Sequence, residues 1–229
     1  MFFRKNVVFL SKQPVRMVIS LKRKAIQSLI EWKNSLDRKP LVLKGARQVG
    51  KTWLMKEFGK THYKNYVYFN FDEEDALKSI FESNKNPQRI IDLLSFIADE
   101  KIVPNETLII FDEIQECPNA LNSLKYFKEK ANAYHVIAAG SLLGTLLSQP
   151  KSYPVGMVNI LNIYPLTFDE FLEATEPTLS KYYSSIIKEQ NIEEIFHNKL
   201  LDAYNYYLIV GGMPECVHSW ITYKDPKKV

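Results

Sequence analysis

One eight-residue run constrains the fold of this chain more than any other feature. The run reads Gly45-Ala46-Arg47-Gln48-Val49-Gly50-Lys51-Thr52 and satisfies the pattern G-x-x-x-x-G-K-[ST] in full. In this pattern backbone N–H groups wrap phosphate oxygens, and we expect Gly45 and Gly50 to adopt backbone angles closed to other residues. Lys51 would reach the β- and γ-phosphates of a nucleoside triphosphate, and the Thr52 hydroxyl would join a Mg²⁺ shell. The run therefore predicts a loop that binds a nucleoside triphosphate.

The residues on either side of the run have the character that such a loop needs. Leu41 to Leu43 predicts a short buried strand, and Trp53 to Phe58 predicts a helix that we expect to end at Gly59. The N-terminus of that helix would add a partial positive charge beside the phosphates. A glycine turn without a ligand is the alternative, and the complete motif in this context argues against it. We therefore assign nucleotide binding to the run and to Trp53.

Two acidic residues predict the other half of the site. The segment Leu108-Ile109-Ile110-Phe111-Asp112-Glu113 has four apolar residues and then two acids, which is typical of a buried parallel strand that ends in charge. Ligands of open α/β sheets lie beyond the carboxyl ends of the strands. We expect Asp112 to bind magnesium directly or through water, and Glu113 to polarise the attacking water. Two ordinary surface acids are the alternative, which the neighbouring phosphate loop disfavours.

A polar residue follows a further predicted strand. Tyr134 to Ala139 is an apolar run that leads into Gly140 and Ser141. If this strand lies between the phosphate-loop strand and the Asp112 strand, the Ser141 hydroxyl would reach the γ-phosphate as a sensor. Ser141 could equally cap a helix over residues 142–147, since serine is a preferred N-cap. Both interpretations remain open.

With these motifs the chain resembles the AAA-type ATPases, and more narrowly the prokaryotic ATP-binding proteins that pair an AAA-like domain with a C-terminal domain of unknown function. The resemblance covers roughly residues 20 to 220. It is carried by the phosphate-binding run, Asp112-Glu113-Ile114-Gln115, Tyr164-Pro165-Leu166-Thr167-Phe168-Asp169-Glu170-Phe171-Leu172 and Gly211-Gly212-Met213-Pro214-Glu215. It implies a P-loop NTPase three-layer α/β sandwich with a parallel sheet in the order 5-1-4-3-2. It also implies a small C-terminal helical subdomain, a water-polarising Glu113 and a sensor Ser141.

The chain departs from that family in its arginines. Members often carry an arginine after the glycine in the segment that matches residues 155–158, where this chain has Met157. The arginines lie only at positions 4, 16, 23, 38, 47 and 89. An arginine finger can contribute a factor of about 10³ to 10⁵ in rate. We therefore expect slow turnover unless a lysine, Arg47, Arg89 or a partner supplies the charge.

The order of apolar segments predicts the domain organisation. Strands are predicted at Leu41–Lys44, Tyr66–Asn70, Leu108–Phe111, His135–Ala139 and Val158–Ile163, with helices between them. This alternation is typical of a parallel sheet covered on both faces. Helical character follows from Pro165, with a capping box at Thr167 and Glu170. We divide the chain into an N-terminal extension (1–16), an ATPase core (17–164) and a helical subdomain (165–229), which by the resemblance is truncated before a further C-terminal domain.

Composition limits the location and the partners. No apolar run reaches the 18 residues of a membrane span. The two cysteines lack C-x-x-C spacing, which fits a reducing cytoplasm. Residues 1–66 hold 16 lysines and arginines against 3 acidic residues, so this part could touch nucleic-acid phosphates. We favour the solvated face of a helix from about Val18 to Leu36, because charged helix faces are usually solvated and no nucleic-acid module is visible. The buried stripe of this helix would consist of Leu21, Ala25, Leu29, Trp32 and Leu36.

The leading functional hypothesis is an ATPase that hydrolyses ATP to ADP and phosphate with Mg²⁺. Lys51, Glu113 and Ser141 are the candidate catalytic residues, and Thr52 and Asp112 are the candidate metal ligands. Nucleotide state would rearrange the helical part. The alternative is a nucleotide-dependent switch that binds a protein or a nucleic acid and barely hydrolyses ATP. A small-molecule kinase is disfavoured by the arginine-free stretch after residue 89. A protein client and self-association both remain open.

Overall fold

A five-stranded parallel sheet forms the centre of the fold. The computed structural model describes residues 21–141, 156–186 and 192–229. The strands are β1 (Leu41–Lys44), β2 (Asn65–Asn70), β3 (Thr107–Asp112), β4 (His135–Gly140) and β5 (Asn159–Asn162). Their order is β2-β3-β4-β1-β5, and every neighbouring pair is parallel. This is the predicted order seen from the other edge, so the fold class is confirmed. The order places β4 between the two strands whose ends carry the predicted site.

Helices cover both faces of the sheet. The core helices are α1 (Ala25–Asn34), α2 (Lys51–His62), α3 (Asp75–Ser83), α4 (Pro87–Ala98) and α5 (Pro118–Lys130). Side chains of α1 and α2 pack with one face of the sheet, and those of α3, α4 and α5 pack with the other. On β3, Leu108 and Ile110 face the first layer whereas Ile109 and Phe111 face the second. Burial on both faces explains why this strand is continuously apolar.

The C-terminal part is helical and has a hydrophobic cluster of its own. Its helices are α6 (Phe168–Thr175), α7 (Pro177–Ser185), α8 (Glu194–Val210) and α9 (Pro214–Tyr223). The cluster contains Leu166, Phe171, Val210, Val217 and Trp220. The predicted capping box is present, because Thr167 Oγ1 accepts from the Glu170 N–H and the Glu170 side chain accepts from the Thr167 N–H. Within the described residues, no helix is both long and apolar enough to cross a bilayer.

Two helix boundaries differ from the predicted ones. Helix α2 does not end at Gly59 but continues to His62. A Cβ atom at Gly59 would lie 2.8 Å from Cβ of Tyr66, so this glycine allows β2 to approach the helix. Helix α1 begins at Ala25, after the non-helical residues 21–24, and ends at Asn34, while Val18 lies outside the described residues. The prediction that Leu36 belongs to the buried stripe is wrong, because Leu36 lies beyond the helix and is fully exposed.

A buried histidine at the start of β4 is held without charge. His135 is 3% exposed. Its Nδ1 is hydrogen-bonded with the Tyr63 hydroxyl at 2.7 Å, and its Nε2 with Asn105 Oδ1 at 3.2 Å. Burial lowers the pKa of His135 to about 3, and the charges of Arg38 and Lys33 act in the same direction. Protonation of this ring therefore opposes folding.

We expect this histidine to make folding stability fall in mild acid. A group whose pKa is lower in the folded chain contributes stability that is complete above the unfolded pKa of about 6.5 and is lost toward the folded value. The free energy of unfolding should fall by about 1.4 kcal/mol per pH unit from this group below roughly pH 6. Urea unfolding at about pH 7 and about pH 5 measures the slope. His135→Gln should flatten it, while the exposed His197→Gln should not. Equal slopes in all three proteins would contradict this assignment.

Candidate functional site

The loop between β1 and α2 has a left-handed backbone angle at Gly50, as predicted, but not at Gly45. Gly50 has φ +90° and Gln48 has φ +64°, whereas Gly45 is not among the residues with positive φ. The expectation that Gly45 needs a glycine-only backbone angle is therefore wrong. A Cβ atom at Gly45 would lie 2.2 Å from the carbonyl oxygen of Ile163. Glycine is required there because the chain after β5 passes against the loop.

Lys51 is the first residue of α2, and its ammonium group folds back over the loop. Nζ donates to the Gly45 carbonyl at 2.9 Å and to the Ala46 carbonyl at 2.7 Å. The residue is only 7% exposed. Burial lowers the pKa of Lys51, and the carboxylates of Glu113 and Asp112 partly oppose that shift. The predicted phosphate-binding cation and the predicted acidic pair therefore share one electrostatic environment.

Asp112 lies directly opposite Thr52, as the sequence predicts for two halves of one site. The Thr52 hydroxyl donates to Asp112 Oδ2 at 2.6 Å. The Tyr68 hydroxyl donates to the same oxygen at 3.0 Å, and the Glu113 N–H donates to Oδ1 at 3.0 Å. Burial raises the pKa of Tyr68, and the Asp112 carboxylate adds to this effect. Tyr68 therefore stays a hydrogen-bond donor that holds the carboxylate toward α2.

Glu113 leaves the strand in a turn that aims it into the same cleft. It has φ +48°, which is rare for a residue with a side chain and which starts the short 3₁₀ turn Ile114–Glu116. Gln115 Nε2 donates to Glu113 Oε2 at 2.5 Å. The other amide atom, Gln115 Oε1, is buried and has no partner in the described part of the chain. Gln115 thus fixes one carboxylate oxygen of Glu113 and leaves the other for a ligand.

Ser141 comes to the same edge because β4 lies between β1 and β3. Arg47 Nε donates to Ser141 Oγ at 3.4 Å. Arg47 lines the cleft, whereas Ser141 adjoins it through this contact. The predicted helix over residues 142–147, which Ser141 would cap, lies outside the described residues.

These residues surround a cleft of about 660 Å³. It is lined by Arg47, Gln48, Gly50, Lys51, Thr52, Trp53, Asp72, Glu113, Gln115, Glu116, Pro214 and Glu215. A mostly apolar pocket of about 280 Å³ adjoins it and shares Gly50, Trp53, Pro214 and Glu215 with it. Leu21, Arg23 and His218 complete the wall of this pocket. Glu113 therefore lines the cleft but not the apolar pocket.

Several residues of the site carry no predicted role. Tyr68 is a polar-tipped residue in a predicted strand, and no local signal distinguishes it from a core tyrosine. Gln115, Pro214 and Glu215 fall in motifs of the family resemblance, so the family pattern is the signal that could have identified them. Asp72 follows β2 at the carboxyl edge of the sheet, where ligands of such sheets bind.

The oxygen atoms of Thr52 and Asp112 suit magnesium. Mg²⁺ is usually held by one or two carboxylates together with phosphate oxygens and water, rather than by an all-protein cage. In residues 21–141, 156–186 and 192–229 no group of three or more His, Cys, Asp or Glu side chains could hold a metal ion. The hydroxyl and the carboxylate, 2.6 Å apart beside the phosphate loop, match the sparse donor set of a nucleotide-bound magnesium ion.

Comparison with known proteins identifies a family model, a relative and a similar fold. The family model described as an AAA domain matches residues 37–172. The uncharacterized protein MJ1544 of Methanocaldococcus jannaschii is 27% identical over 198 residues, which cover 86% of this chain and 40% of that protein. The chain therefore spans less than half the length of this relative. The fold is similar to that of the Walker-type ATPase PABY2304 of Pyrococcus abyssi, with a TM-score of 0.57, 15% identity, and coverage of 91% of this chain and 70% of that one.

Proposed function

The chain belongs to the AAA domain family, and on that premise we propose that it binds ATP with Mg²⁺ and hydrolyses it to ADP and phosphate. One observation carries the proposal: the Thr52 hydroxyl and the Asp112 carboxylate are 2.6 Å apart, beside the loop that Lys51 closes. Residues from α2 and from β3 thus meet at the carboxyl edge of the sheet, where the ligands of such folds bind.

The predicted site residues have distinct roles in this reaction. The loop amides and Lys51 bind the phosphates. Thr52 and Asp112 would hold Mg²⁺, which would neutralise phosphate charge in the reaction when bound. Glu113, oriented by Gln115, positions water for in-line attack on the γ-phosphorus. Ser141, which accepts a hydrogen bond from Arg47, would reach the γ-phosphate as a sensor, and this role is part of the proposal.

The apolar pocket suits the nucleoside end of the ligand. It adjoins the cleft at Gly50 and Trp53, and Glu113 does not line it. A triphosphate that extends from Glu113 across the loop would bring the ribose to Trp53 and the base to the pocket. Trp53 is 39% exposed at this boundary, whereas Trp32 and Trp220 are buried.

The arginines favour a second candidate function, a nucleotide-dependent switch with little intrinsic hydrolysis. Among the described residues Arg23 donates to the carbonyls of Val49 and Tyr164, Arg38 to that of Asn132, and Arg89 to those of Ile80 and Asn84. Of these arginines and Arg47, only Arg47 lines the phosphate side of the cleft. Slow turnover is therefore expected of the chain alone.

Measurements of nucleotide binding and of phosphate release distinguish an ATPase from a nucleotide-dependent switch. Purified protein is titrated with Mg-ATP while Trp fluorescence is followed, and phosphate release is then measured at rising protein concentration. We expect saturable quenching, which Trp53→Phe should largely remove, and slow release that rises per chain as the protein associates. Binding with no release at any concentration would favour the switch. Absence of binding by folded protein, checked by isothermal titration, would exclude both functions.

We further propose that nucleotide state rearranges the helical part and that the protein acts in the cytoplasm. The separate hydrophobic cluster of α6, α8 and α9 supports the division of the chain near residue 165. Cys117 and Cys216 are free thiols, which fits a reducing compartment. A protein client, self-association and nucleic acid all stay open as partners.

A further inference from the structure

One buried arginine connects the phosphate loop to the helical subdomain. Arg23 lies just before α1, and its side chain is 5% exposed. Nη1 donates to the Val49 carbonyl at 2.8 Å, and Nη2 donates to the Tyr164 carbonyl at 2.6 Å. Nε donates to Glu170 Oε1 at 3.3 Å. A single guanidinium therefore binds the loop, the segment after β5 and the first turn of α6.

Glu170 is fixed as firmly as Arg23. Its side chain is also 5% exposed. Besides Arg23, Oε1 accepts from the Lys24 N–H at 2.7 Å, and Oε2 accepts from the Thr167 N–H at 2.9 Å. Because every oxygen of this carboxylate has a partner, α6 cannot shift relative to Arg23 without breaking buried hydrogen bonds.

A second connection returns from the helical subdomain to the cleft. The Leu166 N–H donates to the Gly212 carbonyl at 2.6 Å, and the Tyr207 hydroxyl donates to the Leu166 carbonyl at 2.8 Å. A Cβ atom at Gly212 would lie 2.2 Å from Leu166 O, so the turn between α8 and α9 rests directly on the segment that precedes α6. Helix α9 then begins at Pro214, which lines the cleft. The helical subdomain is thus connected to the nucleotide site twice, through Glu170 and Arg23 at α6 and through Pro214 at the start of α9.

We propose that Arg23 is the positioning residue that couples the phosphate loop to the helical subdomain. The inference rests on the proposed function, since ATP must bind the loop. Arg23 holds the carbonyl of the peptide unit between Val49 and Gly50, so any reorientation of that unit on phosphate binding would act on the guanidinium. A guanidinium is a planar, rigid fork, so a displacement of one partner moves the others. Buried ion pairs often add little net stability, which makes stability alone a poor explanation of this one.

The surface around this pair supplies matched controls. Lys22 pairs with Glu173 at 2.7 Å, and Lys24 pairs with Asp169 at 2.6 Å. These pairs join the same two segments as the Arg23–Glu170 pair, but they are largely exposed and do not contact the loop. Lys22→Met and Lys24→Met therefore remove charge between the segments without touching Val49.

Hydrogen exchange with and without Mg-ATP tests the coupling. In the unaltered chain we expect Mg-ATP to slow amide exchange in α6 and α9 by about tenfold. Arg23→Lys keeps a cation beside Glu170 but cannot reach all three acceptors. This variant should lose less than about tenfold in ATP affinity while ATP-dependent protection of α6 disappears. Lys22→Met and Lys24→Met should retain the protection in full.

Each result then decides the proposal. Full ATP-dependent protection in Arg23→Lys would reduce Arg23 to a structural link and overturn the inference. The same holds if the unaltered chain binds Mg-ATP with no change in α6 or α9, an outcome that also contradicts the proposed rearrangement of the helical part but leaves ATP binding and hydrolysis intact. A chain that does not bind Mg-ATP would overturn both. If Arg23→Lys fails to fold, the double variant Arg23→Met with Glu170→Gln, which buries no unpaired charge, takes its place with the same expected loss.

Discussion

Replacing Lys51 with alanine is expected to weaken ATP binding by about a hundredfold or more, because hydrogen bonds to charged groups contribute about 1.5 to 3 kcal/mol each. The Lys51 ammonium is buried beside the loop and already donates to two of the loop carbonyls. A triphosphate in the loop would take up these donors as charge-assisted hydrogen bonds, which alanine cannot make. Isothermal titration with Mg-ATP measures the loss.

A second lysine on the same helix serves as the control. Lys60 is exposed on α2 and lies outside the cleft, so Lys60→Ala changes the net charge equally without removing a phosphate contact. Its ATP affinity should stay within about threefold of the original. Unchanged affinity in Lys51→Ala, with a cooperative thermal transition to show that the variant folds, would contradict the placement of phosphates in this loop.

The sheet could be predicted from sequence, whereas several helix ends could not. Strands β1, β3 and β4 are short apolar runs that are buried on both faces, and this signal is local. The ends of α1 and α2 depend on tertiary contacts. Gly59 resembles a helix stop, yet it lies inside α2 because Tyr66 packs against it. Glu170, which is 146 positions away, binds the Lys24 N–H just before α1 begins.

The candidate site likewise contains residues that the local sequence identifies and residues that it does not. The phosphate loop is contiguous, so its residues and their order could be predicted together. Asp112 and Glu113 could be placed opposite Lys51 because the ends of parallel strands share one edge of the sheet. Arg23 could not be found in this way, since its acceptors lie 26, 141 and 147 positions away. Residues that hold a site in place from a distance leave no pattern in the local sequence.

The Glu113→Gln variant is expected to bind Mg-ATP as tightly as the original chain and to lose about 10² to 10⁴ in the rate of phosphate release, the usual contribution of a positioned acid–base group. Glutamine preserves the size of the side chain and its contact with Gln115, whose Nε2 lies 2.5 Å from the carboxylate. It removes only the negative charge that would align the attacking water. Single-turnover phosphate release, compared with the Kd for Mg-ATP, separates the two effects.

Glu116 provides the matched control for the Glu113→Gln variant. It lies three residues further along the same turn, is exposed and lines the same cleft. Glu116→Gln therefore removes an equal charge near the phosphates without changing the group that Gln115 orients. If loss of charge in the cleft were what slowed the reaction, both variants would be slow. If Glu113 positions the water, only Glu113→Gln loses turnover, and an undiminished rate in that variant would assign the role to another residue.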